Sequence, residues 1–317
     1  MRNIFILVCF VLFVVERAQC HSCLSLLGYS GEYWLFCLNQ LAKASASQAC
    51  MTDFGAQLAK FDDNPSFELP NALKEISNKK TVVEQGQEIY EICKTTMSAV
   101  LNEQNAIYDQ LYEQISNSFD QYYPSMVQVY NDYTADYPSC ASGLATHNFT
   151  FNSIYYSRKT LILNAIAIYK SYLPGRMQLL LNALDMTMPA KITAIQNALP
   201  QDLNGRMTDY RSAQLDIINL LQYNWLDKIV NIDLNNLQNT QINGLTSSLN
   251  AEADSTNSNI NYALLNGIGG VLRTQITNFV NNLIAIKNSI QTMSTTITTQ
   301  YQTRLQQINN QFGSVSL

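Results

Sequence analysis

The chain has 317 residues, with 19 Lys and Arg against 24 Asp and Glu and a formal net charge of −5. Only 14% of its residues are charged while 47% are hydrophobic, which excludes a charge-swollen disordered chain and provides apolar material for a core. The mild acidity excludes a nucleic-acid binder built on a basic patch.

Taken from its start, the chain opens with the plan of a secretory signal. Arg2 precedes an apolar run from Ile4 to Val15, and Glu16-Arg17-Ala18-Gln19-Cys20 follows. About a dozen apolar residues are too few to cross a bilayer. No later run reaches that length, and no apolar tail marks a lipid anchor. Residues 1–20 are read as the signal. Without Arg2, Glu16 and Arg17, 17 basic and 23 acidic residues remain, for a net charge of −6. The expectation is a secreted, extracellular protein that does not span a membrane.

All seven cysteines lie at or before Cys140, which fits an oxidising destination and a disulfide-stapled N-terminal half. Cleavage after Cys20 leaves Cys23, Cys37, Cys50, Cys93 and Cys140. Cleavage after Ala18 leaves six, with fifteen ways to pair. Both cuts stay open. The asymmetry divides the mature chain into a cysteine-bearing region, 21–140, and a cysteine-free helical region, 153–317.

Residues 21–60 read as two short helices. Glu32 to Leu41 carries Tyr33, Trp34, Phe36 and Cys37; Ser47 to Phe61 carries Cys50, Met51, Phe54 and Leu58. A Cys37–Cys50 bridge would staple them as a hairpin. After breaks at Pro65 and Pro70, a helix is predicted from Thr81 to Tyr122, closed by Pro124. Ser125 to Tyr137 follows, with Tyr130, Tyr133 and Tyr137 on one face. Ala141 to Asn152 reads as an exposed loop holding Asn148-Phe149-Thr150, a glycosylation acceptor at Asn148.

The second half reads as helices punctuated by Pro and Gly. They run from Ser153 to Leu173, from Arg176 to Met188 and from Pro189 to Leu199, with a long or kinked helix from Leu203 to about Leu249. The stripe of that long helix takes in Ile217, Leu221, Trp225, Ile229, Ile232 and Leu237. A helix from about Ala251 leads to Gly267-Ile268-Gly269-Gly270, read as a turn. The last helix, Ile276 to Phe312, has a seam of Ile276, Phe279, Leu283, Ile286, Ile290, Met293 and Ile297. The seam then slips by one to Tyr301, Leu305, Ile308 and Phe312. Its only charges are Lys287 and Arg304. Such uncharged flanks favour packing within one bundle over a charge-selected two-chain coil. The fold predicted is an all-α, elongated helical bundle of long amphipathic helices, with no strands expected for want of alternating runs.

Chemistry-bearing patterns are sparse. Cys20-His21-Ser22-Cys23 abuts the cleavage site, and the only other histidine is His147, so four zinc ligands are not available from these groups. Gly267-Ile268-Gly269-Gly270 lacks the Lys-Ser/Thr of a phosphate loop. Gly28-Tyr29-Ser30-Gly31 misses the nucleophile-elbow spacing. The sequence therefore nominates no catalytic, cofactor-binding or metal-ligating residue. Tyrosines crowd between Tyr108 and Tyr172, where they fill helix seams or form a recognition surface. The reading is a non-enzymatic interaction or structural protein of a glandular, gut or reproductive secretion, a monomeric bundle with an unidentified protein partner. The alternative is a carrier holding a lipid or other apolar ligand between helices, with Val280 and Ile284 widening the final seam.

Overall fold

The computed structural model describes residues 69–259 and 267–313. The expected signal, the paired short helices and Cys20, Cys23, Cys37 and Cys50 lie outside the described residues. Those described are all-α, without a strand among them, and form a bundle of four long helical rods. The first rod is α1, Leu69–Asp136, and a 3₁₀ turn, Pro138–Cys140, joins it to α2, Ala141–Asn197. The third rod comprises α3, Pro200–Leu220, a π-helical stretch over 221–242, and α4, Asn243–Asn259. The fourth rod is α5, Ile268–Phe312. Among the described residues no helix is long and apolar enough to cross a membrane.

Several predicted breaks are absent, and the reason is where the prolines sit. Pro124 lies inside α1, and Pro174 and Pro189 lie inside α2. All three are exposed, so the carbonyl that each proline leaves without a partner can turn to water. The apolar stripe meanwhile runs on beneath them. Phe119, Met126 and Tyr130 are buried around Pro124, as are Leu173, Met177 and Leu180 around Pro174. Burial of the stripe outweighs the local penalty. Pro200, by contrast, occupies the first position of α3 as expected.

The predicted loop Ala141 to Asn152 is likewise helix. Its Ser, Thr, Gly and Asn content imitates a loop, but Leu144, Phe151 and Tyr155 are buried along one face. The hydroxyls of Thr146 and Thr150 donate to the carbonyls of Ser142 and Thr146, one turn back. That back-bonding satisfies the hydroxyls without breaking the helix, and it recurs at Thr160, Thr208, Thr246 and Thr292.

The described chain divides into two compact units, neither a continuous stretch. One takes residues 69–93, Leu184–Asp216 and 306–313. In it α1 and α2 run antiparallel, with Tyr90 donating to Asp185 at 2.6 Å and the Lys79 ammonium to the Ala198 carbonyl at 2.6 Å. Its core centres on Tyr210, wholly buried, whose ring lies 4.7 Å from that of Phe312 and whose hydroxyl donates to the Gly86 carbonyl at 2.7 Å.

The other unit takes Lys94–Ala183 and Ile217–Leu305. Here Lys159–Asp120 and Lys170–Asp109 pairs tie α2 to α1, each at 2.6 Å. Gln104–Ser294 and Ser118–Asn282 contacts tie α1 to α5. Each set of partners pairs with numbers rising on one helix and falling on the other, so these neighbours are antiparallel. Its aromatic core packs Phe119 edge-on to Tyr155 at 5.0 Å and to Phe279 at 4.9 Å. Gly269 marks where α5 meets α4: a Cβ there would stand 3.1 Å from the Ala253 carbonyl and 3.0 Å from the Asn257 Cβ. The Gly267–Gly270 segment thus serves close helix approach, with α5 already begun at Ile268.

The π-helical stretch has a cause in the sequence. Its innermost residues Leu221, Trp225, Ile229, Asp233 and Leu237 recur every four positions, and all are buried. In an α-helix a step of four overshoots one turn by about 40°, so four such steps would carry the stripe about 160° around the rod. Winding with more residues per turn keeps it facing the core. The backbone accordingly bonds five residues back, from the Asp227 N–H to the Gln222 carbonyl and from the Asn243 N–H to the Gln238 carbonyl. Such winding is rare and usually confined to one turn.

Candidate interaction face and its buried support

The altered winding exchanges two neighbours. Ile232, predicted in the stripe, is 48% exposed, and Asp233 takes the interior position at 1%. A carboxylate so buried needs a partner, and Arg176 of α2 provides one. Its Nη1 donates to Oδ2 at 2.5 Å and its Nη2 to Oδ1 at 3.0 Å, a bidentate clamp. The Tyr108 hydroxyl of α1 lies 3.4 Å from the same Oδ2. Burial and the nearby Asp233 charge push the Tyr108 phenol well above its ordinary range. At Arg176 the hydrogen bond and charge of Asp233 outweigh burial, which acts the other way, and raise the guanidinium's pKa. The cluster holds three helices in register.

This buried cluster reaches the surface through one ring. The Arg176 guanidinium carbon lies 5.6 Å from the centre of the Tyr172 ring, a cation–π contact that steadies Tyr172 where it projects outward, 49% exposed. Leu161, Ile168 and Leu179 are 46%, 49% and 61% exposed on the same helix. Steps of seven, four and seven place these four residues within about 40° of one another around α2. Every exposed residue from 160 to 182 is uncharged. Of the cations on this stretch of α2, Lys159, Lys170 and Arg176 are each paired with an aspartate of another helix, and Arg158, one turn before Leu161, donates to the Ser248 hydroxyl at 2.7 Å. The result is an apolar, uncharged seam on the outside of an acidic protein.

The tyrosines therefore divide between two roles. Tyr108, Tyr130 and Tyr155 are buried, with hydroxyls bonded inward, Tyr155 to the Phe119 carbonyl at 2.6 Å. Tyr112, Tyr156, Tyr172 and Tyr223 are exposed. Spacing at seven and four would have found the seam from Leu161 to Leu179; the presumed stop at Pro174-Gly175 hid it.

The final helix is also rearranged. Ile276, Phe279, Leu283 and Ile290 are fully buried as predicted, whereas Ile286, Met293, Ile297 and Ile308 are half-buried flanks. Lys287, Ser294, Thr298 and Asn309, read as outer polar positions or not singled out, are buried. The Gln104 amide donates to Ser294 at 2.9 Å, and Lys287 donates to Gln291 at 3.3 Å. Val280 is buried, and Ile284 is half-buried.

The remaining sequence-nominated residues separate. Among the described residues Cys93 and Cys140 form no disulfide, so the expected stapling is not seen there. Cys93 is buried, accepts from the Gln214 amide at 3.6 Å, and is pushed up to about 11 by burial. Cys140 is half-exposed and ends the 3₁₀ turn. Asn148 is half-buried on α2 beside an exposed Phe149 and Thr150. His147 reaches α4, where its Nδ1 lies 2.7 Å from Glu252 Oε1. Among the described residues no three His, Cys, Asp or Glu side chains are grouped to hold a metal ion. The chain matches no protein-family model, no curated protein and no solved structure.

Proposed function

We propose that this is a non-enzymatic extracellular protein that works by contact, a component of a glandular, gut or reproductive secretion docking through the uncharged face of α2. The observation that carries the reading is that seam: four large apolar side chains about half exposed, with no charged residue exposed from 160 to 182. Exposed apolar ground of this kind marks contact sites more often than idle surface. The signal-like opening supports export. The buried polar groups support the same reading, because Asp233, Arg176 and Tyr108 are spent on one another.

A photo-crosslinking residue in place of Tyr172, tested in the source fluid against the same residue in place of Tyr223, examines the proposal. Both positions are exposed in one unit, at 49% and 66%. The expected result is a reproducible protein adduct from position 172 and none from 223. Equal adducts from both would contradict it. The carrier alternative, with the ligand held between helices, instead predicts lipid in mass spectra of material extracted from the native protein.

A further inference from the structure

We propose that Tyr123 of α1 and Tyr156 of α2 form a modification site, a pair of phenols that a peroxidase-type oxidant joins through a carbon–carbon bond. Register brings them together. Counting down α1 and up α2, Asp109 faces Lys170 and Asp120 faces Lys159, each at 2.6 Å, and the same antiparallel count sets Tyr123 opposite Tyr156. The Asp120–Lys159 pair lies one turn away along both helices, where it fixes their approach. The ring centroids of Tyr123 and Tyr156 stand 5.2 Å apart at an interplanar angle of 54°. Burial first, and then the hydrogen bond to Tyr156, push the Tyr123 phenol above its ordinary range. Rings this close, with their hydroxyl ends together, set an ortho carbon of each beside the other.

Exposure separates this pair from the other tyrosines. Tyr156 is 50% exposed and open to an oxidant, while Tyr123 is half-buried and shielded from a second chain. Tyr155 touches both rings, at 5.3 and 6.0 Å, but it is buried with its hydroxyl held by the Phe119 carbonyl. Tyr133 and Tyr137 also stack, at 6.0 Å, but they lie one turn apart, so a link there ties no second helix. In the coupling each phenol gives up one electron and its hydroxyl proton. The two radicals form one bond between carbons ortho to the oxygens, and each of those carbons then passes its hydrogen, as a proton, to the oxygen of its own ring. The pair has lost two hydrogen atoms, and one hydrogen peroxide takes them up to become two waters. The new bond closes a loop that crosses the Pro138–Cys140 turn and ties α2 to α1 beside Pro124, which has no backbone N–H to give. Like a disulfide, it restricts the unfolded chain.

Treating the full mature chain, at low concentration, with a haem peroxidase and hydrogen peroxide tests this. Cleavage after Asp and Arg then releases 121–132 and 137–158 as separate peptides. The expected product is a monomer with dityrosine fluorescence. Mass spectrometry should find those two peptides joined and two hydrogens light, with fragmentation placing the bond at Tyr123 and Tyr156. Tyr156→Phe and Tyr123→Phe should each lower the yield of the joined peptides at least tenfold, with circular dichroism as in the wild type, and Tyr223→Phe should leave it unchanged. Should Tyr123→Phe lose helicity, Tyr156→Phe, at the exposed position, decides alone. The coupled chain should unfold at a higher urea concentration than the untreated one, a rise that treated Tyr156→Phe does not show. No joined peptides after exhaustive oxidation, a bond placed at other tyrosines, a yield indifferent to Tyr156→Phe, or an unmoved urea midpoint overturns the inference.

Discussion

Asp233 is clamped at both carboxylate oxygens by Arg176 and lies within reach of Tyr108. Removing one partner strands a charge in a medium that solvates it poorly. Asp233→Ala should therefore cost about 3–5 kcal/mol, whereas Asp233→Leu with Arg176→Met, apolar and of comparable volume, should be close to neutral. Urea denaturation of the three proteins measures both, and equal losses would refute the clamp. Protons give a second handle at this scale. Burial pushes Cys93 from 9.0 up to about 11 and Tyr130 from 10.0 up to about 12. Each group holds its proton more tightly folded than unfolded. Its contribution is complete below the ordinary value and is lost as pH climbs through the shifted one. Stability should thus be flat toward pH 9, fall from there, and fall faster above 10 as Tyr130 and the more strongly raised Tyr155 and Tyr210 join. Cys93→Ala should move the onset from near 9 to near 10, read by thermal melts across alkaline pH. An onset unmoved by that substitution would show that the thiol is not linked to folding.

At the scale of the element, the apolar stripe proves a better guide than the punctuation. The all-α class and the buried Ile276, Phe279, Leu283 and Ile290 were legible because their spacing holds over many turns. Boundaries were not, because an exposed proline costs a helix little when the stripe beneath it is continuous, as at Pro124 and Pro174. The candidate face was lost with the helix that carries it. Asp233 was missed for a subtler reason: four-residue repeats unwind the rod into π-geometry, and that phase shift turns Ile232 outward. The same attention to phase separates neighbours in α5. Leu283 is fully buried and Ile286 only half-buried. Leu283→Ala should cost about 2–5 kcal/mol, and Ile286→Ala clearly less. Paired denaturation curves decide it; equal losses would mean that the seam is wrongly placed.

For the whole molecule, charge is the informative quantity. The helices owe little to surface ion pairs and much to buried stripes, so their surfaces are free to be uncharged where contact is made. Both units are built from antiparallel helices whose side-chain hydroxyls largely satisfy their own backbones, as Thr146, Thr160 and Thr246 do. With no disulfide among the described residues, packing holds the described helices together. Against that background the α2 seam is one place among the described residues where large apolar side chains stay exposed in a row. The most direct measurement is the yield from a photo-crosslinking residue at 172 compared with one at 223, in the native fluid. The account predicts a specific protein adduct at 172, lost when Ile168→Glu is added, and none at 223. Equal yield from the two positions, or a 172 adduct indifferent to Ile168→Glu, would contradict it.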